Sequence, residues 1–150
     1  YPYLSSVKDY DKKNPKFRWQ KKFSNKELTN LFPKIGGLNN IEILDITSTG
    51  RVKDVKLFGT YSSYQMSGVD LRKRLGLNSN LVRFKFFEEE LNNEFPKKKG
   101  LIVFGQGSGH GVGMSQWGAK YMASRGTKAE RILKYFYKGA QIKPFRKDYL

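Results

Sequence analysis

The sequence runs to 150 residues, 38% of them apolar, enough for one domain with one core and short for two. Lys and Arg number 29 against 13 Asp and Glu, a net charge of +16 that favours anionic partners (nucleic acid, an acidic membrane face, a wall polymer) and says nothing of fold. The lack of cysteine excludes disulfides and thiolate metal sites, a single histidine excludes a cluster of His ligands, and no apolar run approaches the roughly 20 residues of a membrane helix.

Tyr1-Pro2-Tyr3 does not read as a natural start, so a processed or truncated product is expected. Asp9 to Pro15 reads as a loop before an extended Phe17-Arg18-Trp19 segment. Ser24-Asn25-Lys26-Glu27 fits a capping box opening a short helix to about Phe32, with Leu28, Leu31 and Phe32 on its apolar face and Pro33 and Gly36-Gly37 ending it. From Ile41 the apolar residues alternate: Ile41, Ile43, then Val52, Val55 and Leu57 beyond Thr49-Gly50, a β-hairpin signal. Tyr61 to Met66 suggests a further strand, and Val69 to Leu75 a short helix with Arg72, Lys73 and Arg74 on its polar side. Val82, Phe84 and Phe86 alternate with Leu81, Arg83, Lys85 and Phe87, a strand with aromatics on one face. Glu88 to Lys99 reads as an exposed hairpin tip or loop.

Leu101-Ile102-Val103-Phe104 predicts a short buried strand running straight into Gly105-Gln106-Gly107-Ser108-Gly109-His110-Gly111-Val112-Gly113. Five glycines at alternate positions raise the entropy lost on folding, so packing does not explain them; a bare backbone that a ligand approaches does. A helix from Met114 to Ser124 follows, stopped by Gly126, and its first amides with the glycine loop make a polar cradle holding His110, Ser115 and Gln116. Thr127-Lys128-Ala129-Glu130 reads as a second capping box, leading a helix with Ile132, Leu133, Phe136 and Tyr137 inward, and Gln141-Ile142-Lys143 as a closing strand. The fold class is therefore α+β: mostly antiparallel strands with a few short helices and a helix-loop-helix near the C-terminus. The glycine run is not a phosphate loop, since Gly113-Met114-Ser115 stands where Gly-Lys-Ser/Thr is needed and no acid follows at the spacing a ribose requires.

The phrase from Gly107 to Ala119, with His110 inside it, resembles the signature of the sporulation stage II protein D family, which includes amidase enhancer proteins. Its continuation is similar too: Met122-Ala123, Gly126, Ile132-Leu133, Phe136-Tyr137, Gly139-Ala140 and Ile142 keep the family's order and spacing. Upstream, Ser48-Thr49-Gly50-Arg51-Val52 resembles the family's hairpin, and Met66-Ser67-Gly68 with Leu71-Arg72 and Leu75-Gly76-Leu77, Ser79 resembles a second segment.

The resemblance implies a cell-envelope or secreted protein acting on peptidoglycan glycan strands, with no cofactor or metal. Family members of the best-understood type are lytic transglycosylases, which cut the strand with one acidic residue and leave an anhydro sugar end. One protonated carboxyl suffices there, donating to the glycosidic oxygen and then, as base, helping the sugar's own hydroxyl attack. The family's acid sits in an N-terminal segment that this sequence does not contain, and Glu42 and Glu88 to Glu90 read as solvated structural residues rather than substitutes.

The chain is thus expected to be a single domain over residues 1–150 or the C-terminal half of a larger one, with the missing half or another wall-remodelling enzyme as partner. By the resemblance, His110 orients substrate or the absent acid, beside Gly109 and Gly111. Ser115 is either a helix cap or a sugar contact, Gln116 offers donor and acceptor to acetamido groups, and Trp117 belongs to a core. Ser67 joins them, and Arg72 either pairs with a muramyl or peptide carboxylate or lies on a solvated helix face. A non-catalytic wall-binding or amidase-enhancing module is the alternative. Nucleic acid is not expected as a partner, because the aromatics look periodic and core-facing.

Overall fold

The computed structural model describes residues 7, 8, 10, 17–89 and 97–143. They divide into two compact units: Pro15–His110, and Tyr1–Asn14 together with Gly111–Leu150. Among the described residues no helix is long and apolar enough to cross a membrane.

The Pro15–His110 unit holds two three-stranded antiparallel sheets. In the first, β1 (Arg18–Phe23) and β5 (Val82–Glu88) flank the central β6 (Lys99–Gln106). In the second, β3 (Val52–Phe58) lies between β2 (Asn40–Ile46) and β4 (Ser63–Ser67). Two helices complete it, α1 (Asn25–Leu31) and α2 (Gly68–Leu75), with a 3-10 turn at Pro33–Ile35. Phe23, Leu28, Phe32, Val55, Leu57, Leu71, Leu75, Leu101 and Val103 from both sheets and both helices form one buried core. The α+β mixture of antiparallel strands and short helices is the expected fold class.

The capping box stands as read. Ser24 Oγ accepts from the Glu27 amide, and Glu27 Oε2 accepts from the Ser24 amide at 2.7 Å. The chain then turns through Gly36 in the left-handed region, φ 74°. Strand β2 departs from expectation: its alternation promised one buried face, yet Ile43, Leu44 and Ile46 are exposed. The reason is position, since β2 is an edge strand whose register with β3 slips on both sides of Asp45.

Strand β6 is longer than Leu101 to Phe104 and takes in Gly105 and Gln106, because both flanking strands pair along it. Phe104 is exposed rather than buried. Around the expected hairpin tip, Glu88 and Lys99 pair as strand residues, while residues 90–96 lie outside the described ones. The expected loop at Asp9 to Pro15 lies outside them too, apart from Tyr10.

In the other unit, α3 (Gln116–Ser124) and α4 (Ala129–Phe136) give the expected helix-loop-helix. The helix begins two residues later than Met114, and Gly126 ends it at φ 79°. The second capping box is not there: Lys128 is the N-cap, with no side-chain cap bond, and Glu130 instead pairs with Lys134 at 2.6 Å one turn on. Ile132 and Phe136 are buried, whereas Leu133 is exposed and Tyr137 half-buried, so the apolar face is narrower than expected. Gln141 to Lys143 is not a strand and is exposed. The Tyr10 ring stacks on Tyr121 with centroids 5.3 Å apart, and Tyr135 Oη donates to the Lys8 carbonyl at 2.6 Å.

Candidate functional site

The glycine run divides at its histidine. Gly105 to His110 belongs to the sheet unit, and Gly111 onward to the helical one. The candidate residues are shared out accordingly, Ser67, Arg72, Gly109 and His110 to the first and Gly111, Ser115 and Gln116 to the second.

The glycines are not equivalent. Gly107, Gly109, Gly111 and Gly113 have φ of 67°, 89°, 74° and 83°, all left-handed and costly for a side chain. Gly105 is different, and here packing does explain the glycine: a Cβ would lie 2.0 Å from Trp19 Cζ2. The indole crosses the strand at that point and donates from Nε1 to the Gly107 carbonyl at 2.9 Å. Around Gly109 an added Cβ meets nothing within 4 Å, so that residue answers only to its backbone angle.

What holds this half of the loop is the segment after α2. The Gly109 amide donates to the Asn78 carbonyl at 2.8 Å, beside a parallel bridge between Ser79 and Gly109. Ser79, fully buried, donates to the Gln106 carbonyl at 2.6 Å and accepts from the Leu81 amide. Asn80 both donates to the Val52 carbonyl through Nδ2 and accepts the Val52 amide at its own carbonyl, tying the segment to β3. Arg72 completes the brace: its Nε donates to the Leu77 carbonyl at 3.2 Å, from a half-buried position. It therefore does not lie on a solvated helix face; it steadies the turn on which Gly109 rests. Ser67 caps α2, accepting from the Asp70 amide and donating to the Asp70 carboxylate at 2.7 Å. His110 is exposed at the end of this unit.

Ser79, Asn80 and Trp19 are the positioning residues that reading the sequence missed as such. Only Ser79 carried a signal, as part of the family phrase; the others act across 28 and 88 residues of chain.

In the helical unit the Met114 amide donates to Tyr137 Oη at 3.2 Å, anchoring the last glycine turn to the end of α4. Ser115 is the N-cap of α3, its Oγ accepting from the Gly118 amide at 3.0 Å, which settles its cap role. Gln116 is exposed at the first helical position. Trp117 is half-buried with the Lys120 ammonium 4.9 Å from its ring centre, and Gly118 is the helix's buried residue, so no deep core surrounds the indole.

A proton donor near neutral pH needs a carboxyl pushed up. Here the shifts run the other way. The Lys97 hydrogen bond holds Glu88 below its ordinary value, Lys53 does the same for Asp45, Lys134 for Glu130, and the Ser24 amide for Glu27. Glu42 is exposed on β2, and Glu89 accepts from the Asn25 amide at 2.8 Å. Among the described residues no group of three His, Cys, Asp or Glu side chains converges on a metal position.

Comparison with known proteins adds relatives to this geometry. A family model described as "Domain of unknown function (DUF8618)" matches residues 2–113. The chain is similar to Stage II sporulation protein D of Bacillus subtilis (strain 168), 38% identical over 94% of its own length, and to that of Bacillus amyloliquefaciens, 33% identical over the same share. It spans only 38% of the length of each of these relatives. A 40-residue stretch, 27% of the chain, is 48% identical to 6% of the Amidase enhancer of Bacillus subtilis (strain 168).

Proposed function

This chain belongs to the stage II sporulation protein D and amidase enhancer family, and from that premise we propose that it binds peptidoglycan glycan strands in the cell envelope. In the complete assembly it serves a glycan-cleaving, lytic transglycosylase-like reaction. The observation that carries the reading is the run of four left-handed glycines around the exposed His110, a stretch bare of side chains that lets a polar ligand approach the chain closely, at the cost of conformational entropy. His110 orients the sugar or the acid that acts on it, and Gln116 supplies both a donor and an acceptor to an acetamido group. On this reading the proton for the glycosidic oxygen comes from the family's N-terminal acid rather than from Glu27, Asp45, Glu88 or Glu130, whose carboxyls are shifted down instead of up.

The test is to pellet the chain with purified sacculi and to analyse the released fragments by mass. Binding without release of anhydro-ended sugars, weakened in His110→Ala, is the expected outcome. Failure to pellet with sacculi sinks the reading. The likeness to an amidase enhancer supports a second reading, in which the bound chain stimulates a wall amidase; adding such an enzyme to the same sacculi and timing peptide release separates the two.

A further inference from the structure

A cavity that shares no lining residue with the glycine run lies in the sheet unit, with a volume of about 720 Å³, where α1 gives way to the 3-10 turn and β4 and α2 pass alongside. Pockets of this size suit small ligands of roughly 300–1,000 Å³. Its floor is apolar, made by Leu31 with the buried Phe32 and Ile35. Its charged groups are of one sign: beside the neutral Asn30, Ser62 and Tyr64 the lining contains Lys34 and Arg74 and no carboxylate.

Arg74 is held in place rather than free to wander. Its Nη1 donates to Tyr64 Oη at 2.7 Å, and its guanidinium centre sits 5.5 Å from the centre of the Phe32 ring. That bond uses one of five N–H groups, so most of the planar fork remains to grip a carboxylate in parallel hydrogen bonds. Three of the lining carbonyls are engaged within the fold: Phe32 O accepts the Ile35 and Gly37 amides, Pro33 O the Gly36 amide and Ile35 O the Tyr61 amide.

We propose that this cavity binds a short aliphatic peptide through its free C-terminal carboxylate, the acid meeting Arg74 and Lys34 and the small side chains lying on Leu31, Phe32 and Ile35. A bare anion would not use the apolar floor, and an uncharged glycan would leave the two cations unanswered. The proposal rests on the wall-binding reading for its choice of peptide, since the peptides of peptidoglycan end in alanine; the site would hold the peptide while the glycine run holds the glycan.

Nuclear magnetic resonance titration of the full chain with acetyl-D-alanyl-D-alanine, its C-terminal amide and acetate tests this. The free acid should shift the amides of Leu31, Ser62 and Tyr64, and both the amide analogue and acetate should bind at least about tenfold more weakly, the worth of one charge-assisted contact. Arg74→Gln should weaken the free acid by a similar factor, and Tyr64→Phe, which keeps the ring and frees the guanidinium, by less. Equal binding of the amide or of acetate, no shifts at saturating peptide, or an unaltered response in Arg74→Gln overturns it. Pelleting with sacculi keeps the two readings apart: a chain that pellets but ignores the dipeptide rejects the cavity alone, and one that takes the dipeptide but does not pellet rejects the glycan reading alone.

Discussion

Two glycines four residues apart carry different burdens, and substitution separates them. Gly105→Ala drives a methyl into the Trp19 ring, its Cβ 2.0 Å from Cζ2, in the central strand of its sheet, where Trp19 is its pairing partner. Overpacking of this kind costs about 1–3 kcal/mol, and the indole must shift, loosening its bond to Gly107. Gly109→Ala meets no atom within 4 Å and suffers only from its φ of 89°, about 1–2 kcal/mol of backbone strain. Both variants should lose stability in urea melts, but Gly105→Ala alone should change the fluorescence of Trp19, read in a Trp117→Phe background. Unchanged emission in Gly105→Ala would mean that the indole does not cover that glycine.

At the scale of the element, the two four-residue stretches that look like capping boxes behave differently. Ser24→Ala removes a hydroxyl that accepts from the Glu27 amide and should cost about 1 kcal/mol. Thr127→Ala should stay within about 0.5 kcal/mol, since α4 is capped at Lys128 without any side-chain bond. Acid adds a second discriminator. The Glu27 carboxyl titrates below its ordinary 4.5 in the folded chain, so its contribution is fully present above that value and fades as pH falls through the lowered one. Glu27→Gln should therefore be less stable than the parent at about pH 7, with the gap closing as pH falls below 4.5 through the lowered value. A gap that persists in acid would assign the loss to packing instead.

The contrast also marks what the sequence discloses. The Ser24 box, the hairpin turn at Thr49-Gly50 and the left-handed glycines are local, and short-range chemistry writes them into neighbouring residues. The true length of β6 depends on partners at Arg18 and Glu88, and the brace on Gly109 depends on Asn78, Ser79 and Arg72, none of them close in sequence. Thr127 shows the reverse case: the right residue types stand at capping spacing, but the helix starts one residue later than the box needs. The candidate site was legible as a loop and as a family phrase, while its supports were legible only through the fold.

For the molecule as a whole the dominant number is charge. Whatever pairs form, 29 cations against 13 acids leave an excess of 16, and pairs such as Lys53–Asp45 and Lys97–Glu88 are exposed and contribute little energy. Attraction to an anionic wall polymer should therefore be long-ranged and screened, with a Debye length of about 10 Å at 0.1 M salt and about 3 Å at 1 M. Pelleting with sacculi should fall steeply as salt rises. If the glycan reading proposed above holds, a fraction should persist, since hydrogen bonds from Gln116 to sugar would be short-ranged and survive screening, and His110→Ala should reduce that fraction more than it reduces low-salt binding. Single-stranded DNA in the same salt series supplies the comparison: its shift should fall steeply with salt as phosphate contacts are screened, and any part that persists would point to stacking on the exposed rings of Tyr61 and Phe104. DNA binding that outlasts sacculus binding in high salt would move the chain out of the wall and into nucleic-acid chemistry. Equal persistence in His110→Ala and the parent would leave charge as the whole of the attraction.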